Sequence, residues 1–259
     1  MTDIILNGAC GRMGKAIAEA SSSYATRIVA GVDLFEAPCA FPLYSHLSQV
    51  RECADVVIDF TNHTATAELI AFAEQNRIPL VVATTGHTAE ELDDLKKLSE
   101  KVAVFHSGNM SLGVNLLIKL CREATKILGE QADIEIIEKH HNQKLDAPSG
   151  TALMIAHAIQ EEFAQETEIV YDRTSRRSAR PQKEIGISAI RGGNIVGEHE
   201  VMFCIGNEVI SIKHSAIGRA LFAQGALSAA AFIKTKQSGF YSMDDLLREA
   251  VKQTSASAT

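Results

Sequence analysis

Short apolar runs recur along the first part of the chain, at Ile4 to Leu6, Ile28 to Val32, Val56 to Phe60, Leu80 to Ala83 and Val102 to Phe105. Helix-like segments separate several of them, which is the rhythm of a parallel α/β sheet buried on both faces. Each run ends in small or polar residues, and ligands of open α/β sheets bind beyond the carboxyl ends of the strands. Gly8, Asp33, Thr61, Thr84-Thr85 and Ser107-Gly108-Asn109 are therefore expected to converge on one crevice. From about Met110 the pattern changes. A helix-like segment from Gly113 to Leu128 precedes an apolar run at Asp133 to Glu138, a polar loop and a helix from Ala152 to Glu162, and β-like runs follow at Val201 to Ile205 and Val209 to Ile212. This predicts an α+β unit that packs helix on a mixed sheet. The expected division is a first domain over 1–110 and a second over 111–235.

The first strand end reads Gly8-Ala9-Cys10-Gly11-Arg12-Met13-Gly14, ahead of a helix expected to start near Lys15. Glycines there permit a tight turn and the close approach of a pyrophosphate to backbone N–H groups at a helix start. The spacing is G-x-x-G-x-x-G, with Cys10 where the commoner fingerprint has its second glycine. Support comes from Asp33, which ends the next strand and is placed to accept hydrogen bonds from ribose hydroxyls. A carboxylate at that point repels a 2′-phosphate, and Leu34, Phe35 and Glu36 supply no cation. The first half thus reads as a Rossmann-type dinucleotide-binding domain that prefers NADH to NADPH. A phosphate-transfer loop is excluded, because it would need Gly at Ala9 and Ser or Thr at Ala16.

The second chemical signal is the block from Glu138 to Ala152, which holds His140, His141, Lys144 and Pro148-Ser149-Gly150-Thr151 between a strand and a helix. Free N–H groups at a helix start, a lysine and two histidines make a local positive pocket. It stands out in a chain of 259 residues with formal net charge -7. A carboxylate or phosphate ligand that must receive protons suits it, and Ser149 is placed to cap the helix. Glu138 and Asp146 are equally suited to buttress the loop or to do chemistry, and Arg191 to a substrate carboxylate or a salt bridge.

Composition narrows the alternatives. The acidic balance argues against nucleic acid as a partner, and no run is long and apolar enough for a membrane span. Cysteines at 10, 39, 53, 121 and 204 show no C-x-x-C pair, which fits a reducing cytoplasm better than a disulfide framework or a zinc site. The opening Met1-Thr2-Asp3-Ile4-Ile5 runs straight into a strand and does not read as a signal peptide. His199-Glu200 is no zinc motif, and no metal is expected. The basic run Arg173, Arg176, Arg177 and Arg180 reads as a solvated or inter-subunit loop. The residues alone admit a reductase, another NAD-dependent amino-acid or hydroxy-acid dehydrogenase, or an idle NADH-binding sensor.

Six blocks carry a resemblance: Gly8 to Gly14, Ile58 to Thr61, Ala83 to Gly86, Asn109 to Asn115, Glu138 to Ala152, and Arg191 to His199. In them the chain resembles the 4-hydroxy-tetrahydrodipicolinate reductases of the diaminopimelate route to lysine. The resemblance implies hydride transfer from a nicotinamide to a cyclic dicarboxylate imine, with His140 and Lys144 as proton donors. It implies substrate binding by His141, Ser149, Gly150 and Thr151. For the cofactor it implies Gly8, Ala9, Cys10, Gly11, Arg12, Met13, Asp33, Ala83, Thr84, Thr85, Ser107, Gly108, Asn109 and Met110. Ala83 and Met110 depart from the Gly and Phe frequent in that family, which touches the shape of the nicotinamide pocket and not the reaction type. A homotetramer is implied, as is a final segment, 236–259, that returns to the first domain. Ser242-Met243-Asp244-Asp245 reads as a capping-box-like start for its helix. Thr254 to Thr259 is expected to be disordered.

Overall fold

The computed structural model describes residues 1–171, 173–174 and 176–256, with side chains as far as residue 252. Its elements run β1 (Thr2–Asn7), α1 (Arg12–Ser21), β2 (Thr26–Val32), β3 (Leu43–Tyr44), β4 (Val56–Asp59), α2 (Thr66–Asn76), β5 (Leu80–Val82), α3 (Ala89–Ser99), β6 (Ala103–His106) and α4 (Leu112–Leu128). They continue with β7 (Asp133–His140), α5 (Gly150–Gln160), β8 (Glu168–Val170), β9 (Glu184–Arg191), β10 (Gly197–Ile205), β11 (Glu208–Ala216), α6 (Ala220–Ile233), β12 (Gly239–Tyr241) and α7 (Met243–Ala256). Two compact units result: Met1–Leu112 with Arg219–Thr259, and Gly113–Gly218.

The first unit is a Rossmann-like α/β domain. Its seven-stranded sheet has the order β12-β6-β5-β4-β1-β2-β3, and its strand pairs are parallel. The order reverses between β1 and β4, the switch point at which such sheets bind ligands. Near-continuous apolar strands need cover on both faces. Ile4, Leu6, Ile58 and Phe105 pack with Ile17 of α1 and with α6, whereas Ile5, Val57, Leu80 and Val104 pack with Leu69 of α2 and with Leu95 and Leu98 of α3.

Residues 219–235, expected in the second domain, belong to this first unit. The reason lies in α6, whose Ala223, Ala226, Leu227, Ala230 and Ile233 are all fully buried in the first core. A helix apolar on several sides is stable only when enclosed. At Gly225 even a methyl group would strike the Met110 carbonyl oxygen, so the small residue permits the backbone approach. Ser242 opens α7 as read from sequence, its N–H donating to the Asp245 carboxylate at 2.9 Å. Thr254, Ser255 and Ala256, expected to be disordered, continue that helix, and 257–259 lie outside the described residues.

The second unit holds a mixed sheet of order β11-β10-β7-β9-β8, antiparallel across β7, β10 and β11 and parallel across β7, β9 and β8. One face packs Ile134, Ile136, Ile185, Val201 and Phe203 against Leu117 and Cys121 of α4 and Ala152, Ile155 and Ile159 of α5. Strand residues two apart share a face. The row Ile134, Ile136, Glu138, His140 therefore leads from the hydrophobic core straight into the polar block.

Candidate functional site

In the first unit, register sets the strand ends level. Asn7 pairs with both Val32 and Asp59, Asp59 with Val82, and Val82 with His106. Gly8, Asp33, Phe60-Thr61, Ala83-Thr84 and Ser107 consequently leave the sheet side by side, as the apolar runs predict. Gly8 has φ +85, and a Cβ on it would sit 2.7 Å from the Phe60 carbonyl oxygen. Its amide and that of Ala9 both donate to the Val32 carbonyl, at 2.8 and 3.2 Å. A Cβ on Gly14 would lie 2.3 Å from the Gly8 carbonyl oxygen. The turn thus fits against α1 only with these glycines in place.

The helix itself starts at Arg12, three residues earlier than expected, with Gly11 as its N-cap. No side-chain cap and no acidic residue occupies its first turn. Arg12 is exposed and Met13 half-buried there. Asp33 is bound into the same turn: one carboxylate oxygen accepts from the Cys10 amide at 2.9 Å and the other from the Phe35 amide at 3.0 Å.

Asp59 is a further centre, outside the residues that the sequence marks for the cofactor. Only 3% exposed, it accepts from Asn7 Nδ2 at 2.8 Å, Thr61 Oγ1 at 2.7 Å and Thr84 Oγ1 at 2.6 Å. Burial pushes its carboxyl up, against the pull of those three donors. A carboxylate closing the apolar run Val56 to Ile58 is the signal that marks it. Thr84 therefore spends its hydroxyl on the fold, while Thr85 and Gly108 are exposed. The Ser107 hydroxyl donates to the Asn109 carbonyl at 2.8 Å, and Asn109 Oδ1 accepts from the Ser111 amide at 2.9 Å. Ala83 and Met110 are buried in the first core.

In the second unit, register assembles the polar block from three strands. His199 of β10 pairs with Glu138, and Arg191 of β9 pairs with His140. Glu138 is fully buried. Its oxygens lie 2.6 Å from His140 Nδ1, 2.8 and 2.6 Å from the two terminal nitrogens of Arg191, and 3.0 Å from the Ser149 amide. Burial raises the Glu138 carboxyl, but the bonds from Arg191, His140 and Ser149 outweigh it and hold it below the ordinary range. Burial lowers His140, and the partial compensation by Glu138 leaves it below 6.5.

Glu138 is thus the buttress, and Arg191 forms the salt bridge while its guanidinium also donates to the Asp146 carbonyl at 2.6 Å. The α5 helix begins at Gly150 because Ser149 caps it, its Oγ accepting from the Ala152 amide at 3.2 Å. The same oxygen lies 3.0 Å from Nε2 of His199, a 4% exposed residue that burial pushes down to about 4. The His140 and His199 rings meet edge to face with centroids 5.2 Å apart. Lys144 Nζ pairs with Asp146 at 2.8 Å on the loop. His141 and Thr151 are half-buried and Gly150 is exposed beside them. Sequence singled out His140, His141, Lys144 and the helix start, but not that His199 joins them.

The basic run is not simply solvated. Arg173 and Arg176 pair with buried Glu184, and Arg180 with Asp133 at 2.8 Å and Glu135 at 2.9 Å, so these side chains brace their own sheet. Among the described residues no group of three or more His, Cys, Asp or Glu is arranged to hold a metal, and no helix is long and apolar enough to cross a membrane.

Comparison with known proteins places both halves. Residues 2–110 match the family model for the N-terminus of dihydrodipicolinate reductase, and residues 113–247 match that for its C-terminus. The chain is 50% identical over 250 residues to the 4-hydroxy-tetrahydrodipicolinate reductase of Caldanaerobacter subterraneus subsp. tengcongensis, covering 96% of this chain and 99% of that one. It is 43% identical to that of Clostridium novyi, again over 96% and 99%. A dipicolinate-bound dihydrodipicolinate reductase from Paenisporosarcina sp. TG-14 shares the fold with a TM-score of 0.79 at 24% identity, over 93% of this chain and 97% of that one. A myo-inositol 2-dehydrogenase from Lactobacillus plantarum shares it more loosely, with a TM-score of 0.62 at 9% identity and 100% and 98% coverage. The fold thus admits several chemistries, and it is the two family matches spanning both units that show the chain to belong to the dihydrodipicolinate reductase family.

Proposed function

We propose that this protein reduces 4-hydroxy-tetrahydrodipicolinate to tetrahydrodipicolinate with NADH, in the route to diaminopimelate and lysine. The observation that carries the reading is the buried Glu138 that holds His140 beside the capped start of α5. When bound, the nicotinamide supplies the hydride. The chain's residues supply the rest: after the 4-hydroxyl leaves as water, an acid must deliver a proton to the ring carbon next to the one reduced. His140 takes that role. Lys144 is the second donor, exchanging Asp146 for a substrate carboxylate. His141 on the loop, with Ser149, Gly150 and Thr151 at the positive end of α5, would border the substrate carboxylates.

Gly8, Ala9, Cys10, Gly11, Arg12 and Met13 would hold the pyrophosphate. The turn too tight for a Cβ and the uncapped start of α1 fit that group. Asp33 would take the ribose hydroxyls, and its charge disfavours the 2′-phosphate of NADPH. Ala83, Thr84, Thr85, Ser107, Gly108, Asn109 and Met110 would border the rest of the dinucleotide with their backbone. A homotetramer agrees with the second, open face of the five-stranded sheet, which carries Ile137, Ile190, Met202 and Cys204. Free cysteines throughout agree with a reducing cytoplasm.

The test couples the purified protein to a synthase that makes the substrate from pyruvate and aspartate semialdehyde, and follows NADH and NADPH consumption. Turnover with NADH that depends on the synthase product supports the reading, and no turnover with either cofactor overturns it. Size-exclusion chromatography with light scattering reads the oligomer directly.

A further inference from the structure

We propose that Glu138 is a positioning residue for proton delivery, holding the Nδ1–H of His140 so that this imidazole exchanges its working proton only at Nε2. The proposal rests on the reading of His140 as a donor. Its basis is a count of donors and acceptors. An ionised carboxylate only accepts, and Glu138 faces four donor positions: His140 Nδ1 at 2.6 Å, the Arg191 terminal nitrogens at 2.8 and 2.6 Å, and the Ser149 amide at 3.0 Å. With the carboxyl fully buried and held below its usual range, it stays an acceptor through neutral pH. The hydrogen on Nδ1 is therefore engaged in both charge states of His140, and Nε2 alone gains or loses a proton.

A second, independent observation concerns the space around Nε2. A Cβ built on Gly197, buried on β10, would lie 3.1 Å from that nitrogen. The absence of a side chain there leaves Nε2 clear to approach a ligand atom. In the step itself the Nε2–H bond breaks, the proton joins the substrate carbon next to the one that accepts hydride, and imidazolium becomes neutral imidazole. Glu138 is unprotonated before and after. The other titratable and charged groups facing His140 are Arg191 on β9, His199 on β10 and Lys144 on the loop; His214 on β11 lies beyond His199, and Asp146 is paired to Lys144. Arg191 balances the Glu138 charge, and Lys144 together with Arg191 opposes protonation of His140. Glu138 is the group among them that favours it.

Nitrogen-15 imidazole NMR of the unmodified protein, titrated above the His140 pKa, is expected to show protonated Nδ1 and bare Nε2, assigned by the signal that His140→Asn removes. The opposite tautomer overturns the proposal even if every kinetic assay supports the reductase. In Glu138→Gln, kcat is expected to fall by about 10²-fold, the pH limb of His140 to move to lower pH, and the KM for NADH to hold; Glu138→Asp recovers part of the rate. A merely structural glutamate would lower the amount of folded enzyme without moving that limb, and an unmoved limb sinks the idea. Should Glu138→Gln fail to fold, the tautomer measurement still decides. Gly197→Ala then adds a crowding test at Nε2, in which unchanged kcat counts against it. Full turnover by His140→Asn would instead sink the donor reading and leave the tautomer result standing.

Discussion

The glycine turn of the first unit and the polar block of the second are both loops between a strand and a helix, yet they are built from opposite materials. Around Gly8 the work falls to backbone: amides 2.8 and 3.2 Å from the Val32 carbonyl, an uncapped helix start, and two positions where a methyl group would collide with a carbonyl. Around His140 it falls to side chains, Glu138, Arg191, Ser149 and His199, which converge from three strands and a helix cap. A backbone site tolerates changes of side chain so long as nothing is added. A side-chain site tolerates added bulk only where no ring or carboxylate is displaced. On the proposed function, the difference separates binding from chemistry.

Substitution of the block therefore breaks the contrast most strongly. His140→Asn and Lys144→Ala are expected to lower kcat by roughly 10²- to 10⁴-fold with the KM for NADH nearly unchanged, since general acids contribute that much. Steady-state kinetics in the coupled assay checks this, and a parallel loss of NADH binding would show that the two sites are not separable. Alongside it, the alkaline limb of kcat should lie at higher pH than that of kcat/KM. Burial lowers His140 in the free enzyme, whereas a bound dicarboxylate favours its charged form.

His199 contributes next, through stability. Its pKa is about 4 in the folded protein, below the ordinary 6.5, so the unfolded chain takes up the proton first as pH falls. Stability is complete above 6.5 and is lost as pH drops toward 4, by at most about 3 kcal/mol for this one group. Thermal melts of the wild type and His199→Asn between those limits should converge at the acid end. Parallel curves would mean that the ring titrates normally.

Gly8→Ala comes third, with an expected cost of about 1–3 kcal/mol from left-handed backbone strain and collision with Phe60. NADH affinity should fall in calorimetry while any residual kcat at saturation holds. The smallest effect is that of Asp33→Ser. Removing the carboxylate is expected to shift the ratio of kcat/KM values several-fold toward NADPH and to leave the folded fraction intact, because its two partners are turn amides. An unchanged ratio would take discrimination away from Asp33.

Much of this was legible in the chain, for reasons that differ by region. Parallel strands buried on both faces announce themselves as apolar runs, and their ends as the small or polar residues that follow, so the row of strand ends at Gly8, Asp33, Thr61, Thr84 and Ser107 is legible from the pattern. The family blocks extended that to the loop between β7 and α5. Less legible were groups whose meaning lies in a partner far along the chain. Glu138 and Arg191 are separated by 53 positions, and the hydrogen bond between Ser149 and His199 spans 50. Residues 219–235 are hard to place from sequence for a related reason: an apolar helix says that it is enclosed, not by which core.

Periodicity, glycine spacing and local charge thus determined the two-part fold, the tight glycine turn and the positive block around His140, Lys144 and the α5 start, because each is written within a few consecutive residues. Only the tertiary structure decided which nitrogen of His140 is held, why Arg191 is a salt-bridge partner, that Asp59 knits three strand ends and that α6 belongs to the first core. Strand register and burial set those outcomes, and both depend on pairing between distant segments that no local pattern encodes.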